Sequence, residues 1–292
     1  MEDPPAMIPG TFDYFRPKSV AEATKFLHKS KNASVLAGGH SLLPMMKLRV
    51  AAPSALVDLA GIAALRGIKK VGGNILIGAM TTQHEVLASA LIAKHVPLLH
   101  EAAILIADPQ VRYVGTLGGN VANGDPGNDM PAVMMALDAT YKITGPAKAR
   151  AVKARAFYKG LYETALKSGE IVTAIEIPLH GKHGFAYEKL KRKIGDYATA
   201  GAAVVLTMKA GKVAACAIAL TNLGATPLLA DAAAKALVGQ TPDDKTIGAA
   251  VAAARAIMDP ANDTRGTPEY RKSVGGIYVE RAIKRAIARA AG

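Results

Sequence analysis

Val114-Gly-Thr-Leu-Gly-Gly-Asn-Val-Ala-Asn-Gly-Asp-Pro-Gly-Asn-Asp-Met-Pro131 decides how this chain is read. Gly115, Gly118, Gly119, Gly124 and Gly127 fall within this short span, with small polar residues between them. Glycine reaches φ > 0 and admits close neighbours, because no Cβ stands in the way. Such a backbone can aim several N–H groups at one anion. An apolar run, Ala132 to Leu137, follows, with Asp129 as the expected N-cap and Pro131 just inside the helix.

A shorter segment of the same character lies upstream: Val35-Leu-Ala-Gly-Gly-His-Ser-Leu-Leu-Pro44. It follows a short apolar run, as a loop leaving a strand does. The pair predicts two halves of one cradle for a diphosphate. Its donors would be the N–H groups of Gly38, Gly39, Gly118 and Gly119, with Ser41, Thr116, Asn120 and Asn123 adding side chains. Neither segment fits G-x-G-x-x-G or G-x-x-x-x-G-K-[ST], which argues against a Rossmann site and a P-loop. The plain alternative is a pair of tight turns.

The bulk composition narrows the chemistry. The chain has 292 residues, half of them apolar, enough for two or three modules and a sizeable core. Its one cysteine, Cys216, lies in the apolar run Val213 to Leu220. One cysteine forms no internal disulfide and cannot ligate an iron–sulfur cluster, which takes about four. Any such cluster belongs to another chain. Met1-Glu-Asp-Pro-Pro5 lacks the basic start and apolar core of a signal peptide, and no apolar run approaches the ~18 residues that span a bilayer. A cytoplasmic location is expected. The formal net charge of +13 admits an acidic partner or peripheral association with the inner face of a membrane. The absence of Trp and only 5% aromatic residues leave few platforms for stacking bases, so nucleic acid is not expected. His84, His95 and His100 lack the cysteines or carboxylates that would complete a tetrahedral set, so no metal site is expected. No nucleophile–base pair is visible, and no catalytic residue is assigned; this suits a chain whose chemistry belongs to a cofactor.

Taken in order, the chain reads as α+β. A strand at Phe12 to Pro17, a helix from Val20 to Ser30 with a Ser19–Glu22 capping box, and strands at Ser34 to Leu36 and Ser54 to Leu59 make a first lobe of about residues 1–60. Gly72-Gly73 joins a hairpin of Ile68 to Val71 and Asn74 to Ala79. A helix starts at Thr81-Thr82, a longer one runs from Leu91 to Ala107, and Asp108-Pro109 breaks it. A helix from Met130 to Asp138 and strands at 140–144, 151–153 and 170–178 complete a second lobe, about residues 61–180. From 181 to 292 the pattern becomes three antiparallel strands (185–190, 201–209, 213–222), with a turn at Lys209-Ala-Gly-Lys212, then helices at 228–238, 246–258 and 269–291.

Ala37-Gly-Gly-His-Ser-Leu-Leu-Pro-Met-Met-Lys47 and Thr116-Leu-Gly-Gly-Asn120 resemble the two flavin loops of the medium, FAD-binding subunit of the molybdenum hydroxylases, the xanthine dehydrogenase family. Ala122-Asn-Gly-Asp-Pro-Gly-Asn-Asp-Met-Pro-Ala132 and Tyr187-Glu-Lys-Leu-Lys-Arg-Lys-Ile-Gly-Asp-Tyr-Ala198 are similar to the molybdenum–copper carbon monoxide dehydrogenase branch. The likeness runs from about Ile8 to the last helix. It implies a two-lobed FAD-binding module of the vanillyl-alcohol-oxidase (PCMH) type, followed by a smaller domain of three-stranded sheet and helices. It implies non-covalent FAD held by Ala37, Gly38, Gly39, His40, Ser41 and Leu42 and by Thr116, Leu117, Gly118, Gly119 and Asn120. Asn123, Asp129, Lys189 and Tyr197 would also bind it, Asp129 accepting from a ribose hydroxyl, capping its helix or both, and Lys189 and Tyr197 near the isoalloxazine. For His40 three roles stay open: direct contact, support of a neighbour, or the covalent attachment known in some oxidases of the wider fold. The implied partners are a large subunit with the molybdenum–copper centre and a small subunit with [2Fe–2S] clusters, in a dimer of heterotrimers, with a quinone or other acceptor taking the electrons. Three alternatives remain: the same subunit in a hydroxylase for an aldehyde or heterocycle, a self-contained FAD oxidase, and a basic binding module.

Overall fold

The computed structural model describes residues 7–291. Met1 to Pro5, read above for a signal peptide, lie outside them. The first lobe is a three-stranded parallel sheet in which Ala55–Asp58 lies between Asp13–Phe15 and Ala33–Leu36. Its middle strand is buried throughout, as a parallel strand covered on both faces is. The helix Val20–Lys29 is capped by Ser19, whose Oγ accepts from the Glu22 N–H at 3.2 Å. The expected return bond of the capping box shifts by one residue: the Glu22 carboxylate accepts from the Lys18 N–H at 2.8 Å. Leu42–Lys47, directly after the first glycine segment, is a short helix.

The second lobe is a five-stranded antiparallel sheet in the order Ile68–Val71, Asn74–Gly78, Ile171–Pro178, Thr140–Thr144, Ala149–Lys153. Six short helices accompany it, and here the sequence expectations need correction. The long helix at 91–107 is two, Ala90–His95 and Pro97–Leu105, because Pro97 cannot continue the first and starts the second. Asp108-Pro109, expected only to break a helix, begins Pro109–Val114, with the Asp108 carboxylate accepting from the Val111 N–H at 2.9 Å. The middle of the glycine-rich stretch is also a helix, Leu117–Ala122, capped by Thr116. Asp129 is the first residue of the helix Asp129–Ala136, and Asn128 holds the N-cap position. Every residue of that helix is buried. It packs against strands Ala200–Lys209 and Lys212–Thr221 on one side and against Pro97–Leu105 and Leu117–Ala122 on the other, so it has no solvent face to make polar.

The C-terminal part is an antiparallel sheet ordered Gly184–Leu190, Ala200–Lys209, Lys212–Thr221, Leu228–Leu229. The three expected strands are present, with a two-residue fourth at the edge; the helix placed at 228–238 therefore starts only at Asp231. Ala210 and Gly211 both have φ > 0 (50° and 74°), the mirror-type turn that matches strand twist. The long helix Pro268–Ala291 lies flush on this sheet: a Cβ at Gly184 would sit 1.9 Å from the Ala286 carbonyl oxygen. Arg271 is buried and bolts that helix down. It donates to the carbonyls of Thr199 (3.2 Å), Ala261 (2.8 Å) and Asn222, and pairs with Asp263 at 3.2 Å.

Cys216 is half-buried on Lys212–Thr221, and burial pushes its thiol up to about 12. Thiolate is the reactive form, so iodoacetamide is expected to label the folded protein slowly and the denatured protein fast. Prompt labelling of folded protein would contradict this burial.

Candidate functional site

The two glycine segments meet. A Cβ on Gly38 would stand 2.5 Å from the Val114 carbonyl oxygen and 2.6 Å from the Gly115 Cα, so only glycine permits this approach. The contact forms one wall of a cleft of about 500 Å³ between the two lobes and the C-terminal sheet. Of the residues named from the sequence, all but Leu117 border it. Leu117 is fully buried in the core cluster of the second lobe, because the helix turns its side chain inward.

The donors are not distributed as the sequence suggested. In the second segment the leading N–H groups are already used: Leu117 donates to the Thr81 carbonyl at 2.9 Å, Gly118 to that of Ala79 at 2.8 Å, and Gly119 to Thr116 Oγ1 at 3.0 Å. Gly118 is glycine because a Cβ would lie 2.5 Å from the Ala79 carbonyl oxygen. This helix seats itself on the strand end and offers the cleft side chains rather than amides. The Thr116 hydroxyl accepts from Gly119 and keeps its own hydrogen to give. In the first segment, by contrast, no protein acceptor serves the backbone N–H groups of Gly39, His40, Ser41 or Leu42 among the described residues. Gly39 takes φ 74°, which turns the chain so that these groups follow one another. His40 is exposed at this corner.

The opposite wall is a buried ion pair. Asp129 Oδ2 accepts from Lys189 Nζ at 2.8 Å and Oδ1 from the Tyr187 hydroxyl at 2.5 Å. The Lys189 side chain is 1% exposed and also donates to the Leu105 carbonyl at 3.3 Å. Burial raises the Asp129 pKa, against the pull of the Lys189 charge and the two hydrogen bonds. Burial and the neighbouring carboxylate push Tyr187 well above its usual value, so it remains a donor. Asp129 was expected to cap its helix; its carboxylate instead joins two strand residues some sixty positions away, which no local pattern records.

Tyr197 stands at the rim, 39% exposed, on a loop turned by Gly195 at φ 84°. Arg265 lies over its ring at 5.6 Å, and burial followed by the nearby Asp125 charge raises its pKa while the Ser41 hydroxyl lowers it. Arg192 ties the loop together through Asp196 at 2.9 Å and the Thr264 carbonyl at 3.3 Å.

Several further wall residues went unread in the sequence. Ile106 and Ala107 form an apolar edge at the end of a helix. Asn128 is buried and donates to the Asn120 carbonyl at 3.0 Å; it lies in Gly124-Asp-Pro-Gly-Asn-Asp129, where no local pattern marks it. Among the described residues, Asn120 Oδ1 and both polar atoms of the Gln83 side chain lack partners on the cleft wall. A buried polar group left unmade costs about 1–3 kcal/mol. As for the histidines considered above, His84 packs on the Tyr113 ring at 4.1 Å, and no group of three potential metal ligands gathers among the described residues.

The family described as "FAD binding domain in molybdopterin dehydrogenase" matches residues 10–180, and "CO dehydrogenase flavoprotein C-terminal domain" matches residues 185–286. The chain is 56% identical to the carbon monoxide dehydrogenase medium chain of Afipia carboxidovorans, over 97% of its own length and 99% of the relative's. It is 46% identical to that of Hydrogenophaga pseudoflava, over 98% and 100%. A chain of the reconstituted CO dehydrogenase from Oligotropha carboxidovorans superposes with a TM-score of 0.96 at 56% identity, covering 97% of this chain and 100% of that one. The chain therefore belongs to the FAD-binding medium subunits of the molybdenum hydroxylases, in the carbon monoxide dehydrogenase branch of that family, and is one subunit of an oxidoreductase.

Proposed function

We propose that the cleft holds one FAD without a covalent bond and that the chain relays electrons. They would arrive from [2Fe–2S] clusters on a small partner subunit and leave to a quinone or another acceptor. Carbon monoxide would be oxidised at a molybdenum–copper centre on a large partner subunit, the whole forming a dimer of heterotrimers. Residues 1–180 would make the FAD-binding part and 181–292 the C-terminal domain. The single observation that supports the reading most is the run of unpartnered N–H groups from Gly39 to Leu42, at the point where the glycine segments touch.

The residues present fit the cofactor. A diphosphate needs several donors in a concave backbone, and the first segment supplies them together with the Ser41 and Thr116 hydroxyls. Asn120 and Asn123 border the same space with side-chain amides. The bound flavin supplies the electron chemistry, exchanging one or two electrons. The protein binds, orients and excludes water: Ala37, Gly38, Gly118 and Gly119 set the width of the cleft, and the Asp129–Lys189 pair fixes its far wall. Tyr197 partly closes the rim, and Leu42, the first residue of the short helix Leu42–Lys47, borders the cleft. His40 contacts the cofactor without bonding to it.

The test uses the intact complex. Its visible spectrum is recorded, and the protein is then precipitated with acid. Flavin colour released in full to the supernatant is expected. Colour kept in the pellet would mean attachment at His40, and a complex that shows no flavin spectrum even after added FAD would refute the reading.

A further inference from the structure

We infer that the side-chain amide of Gln83 is a cofactor-binding residue that donates to the diphosphate of FAD; this rests on the FAD reading of the cleft. Gln83 is 2% exposed, it borders the cleft, and neither Nε2 nor Oε1 has a hydrogen-bond partner among the described residues. Buried side-chain amides are nearly always satisfied, so an orphan in the wall of a binding cleft points to a ligand.

Its position is held rigidly at the junction of the two glycine segments. The Gln83 N–H donates to the Gly115 carbonyl at 2.8 Å, and Gly115 is the residue against which Gly38 packs. Immediately before it, Thr82 caps the helix Gln83–Ala88 in a two-way bond with Glu85, and the Thr81 carbonyl accepts from the Leu117 N–H. Among the described residues no partner fixes which end of the amide is the donor, so a ligand at this wall can set it. The other unpartnered groups at this corner, the N–H groups of Gly39 to Leu42, are donors. Donors that line one cleft suit an anion, and the diphosphate is the anionic part of FAD.

Gln83→Leu, made in the complete complex, removes the amide at nearly constant volume. FAD is stripped and titrated back, with binding read from flavin fluorescence, and the melting temperature of the FAD-free complex is measured alongside. FAD affinity is expected to fall about 10- to 100-fold, the worth of one hydrogen bond to a charged group. The FAD-free melting temperature should stay level or rise, because the orphaned amide is gone. Gln83→Glu should bind FAD more weakly than the leucine variant, since a carboxylate would face the diphosphate. Gln83→Met repeats the test if leucine disturbs folding. Unchanged FAD affinity in both apolar variants would overturn the inference. So would a loss of affinity matched by a fall in FAD-free stability, which marks a structural role. A shift of the visible flavin band would place the amide at the ring and overturn the diphosphate assignment. If the unaltered complex took up no FAD, the reading of the cleft itself would fall, a result distinct from either.

Discussion

Asp129→Ala is expected to destabilise the protein by about 3–5 kcal/mol, because it strands the Lys189 ammonium in a site that is 1% exposed. The Tyr187 hydroxyl loses its acceptor in the same step and keeps only Thr221 Oγ1 at 3.2 Å. Lys189→Met should cost a similar amount by leaving the carboxylate unpaired. The double variant should recover much of the loss, since removing both charges leaves neither one uncompensated. Denaturant titration of all three variants checks this. Single-variant losses below about 1 kcal/mol would mean that water reaches the pair and that it is an ordinary surface contact. The pair joins strand Gly184–Leu190 to helix Asp129–Ala136, so the same variants should also loosen the far wall of the cleft.

Gly38→Ala is expected to weaken FAD binding on the order of 100-fold, or about 2.8 kcal/mol. The new methyl would press on the Val114 carbonyl and the Gly115 Cα, both backbone, and neither can turn away as a side chain would. The two glycine segments must separate, and the N–H groups of Gly39 to Leu42 then miss the site opposite. Gly73→Ala is the control: it lies in a hairpin turn with φ outside the positive range, and a Cβ there meets nothing within 4 Å. It should leave FAD affinity unchanged. A Gly38→Ala protein that bound FAD as tightly as the parent would show that close contact between the segments is not needed.

Local patterns carried much of the fold. Gly72-Gly73 and Ala210-Gly211 announce their hairpins because only certain residues tolerate those turns, and Ser19 marks a helix start by its hydroxyl. What stayed hidden was non-local. Gly118 and Gly119 disguised a helix as a loop; that helix exists because the Ala79 and Thr81 carbonyls take its first N–H groups, and those acceptors lie nearly forty residues upstream. The same contacts left the backbone anion donors to the first segment, while the second offers side chains. Asp129 looked like a cap because Pro131 follows it, while its true partners, Tyr187 and Lys189, belong to another sheet. Both of those residues were visible in the string Tyr187 to Ala198, yet nothing in their spacing pairs them with a helix start. Gln83 had no motif at all; only its burial without a partner singles it out.

A structure of the complex loaded with FAD tests the central claim most directly. The diphosphate oxygens should lie about 2.7–3.2 Å from the backbone nitrogens of residues within Gly39 to Leu42. No bond should join the flavin to His40, and the ring should lie toward Tyr197. A diphosphate held instead by the N–H groups of the Leu117–Ala122 helix, or FAD bound outside the cleft, would contradict the account.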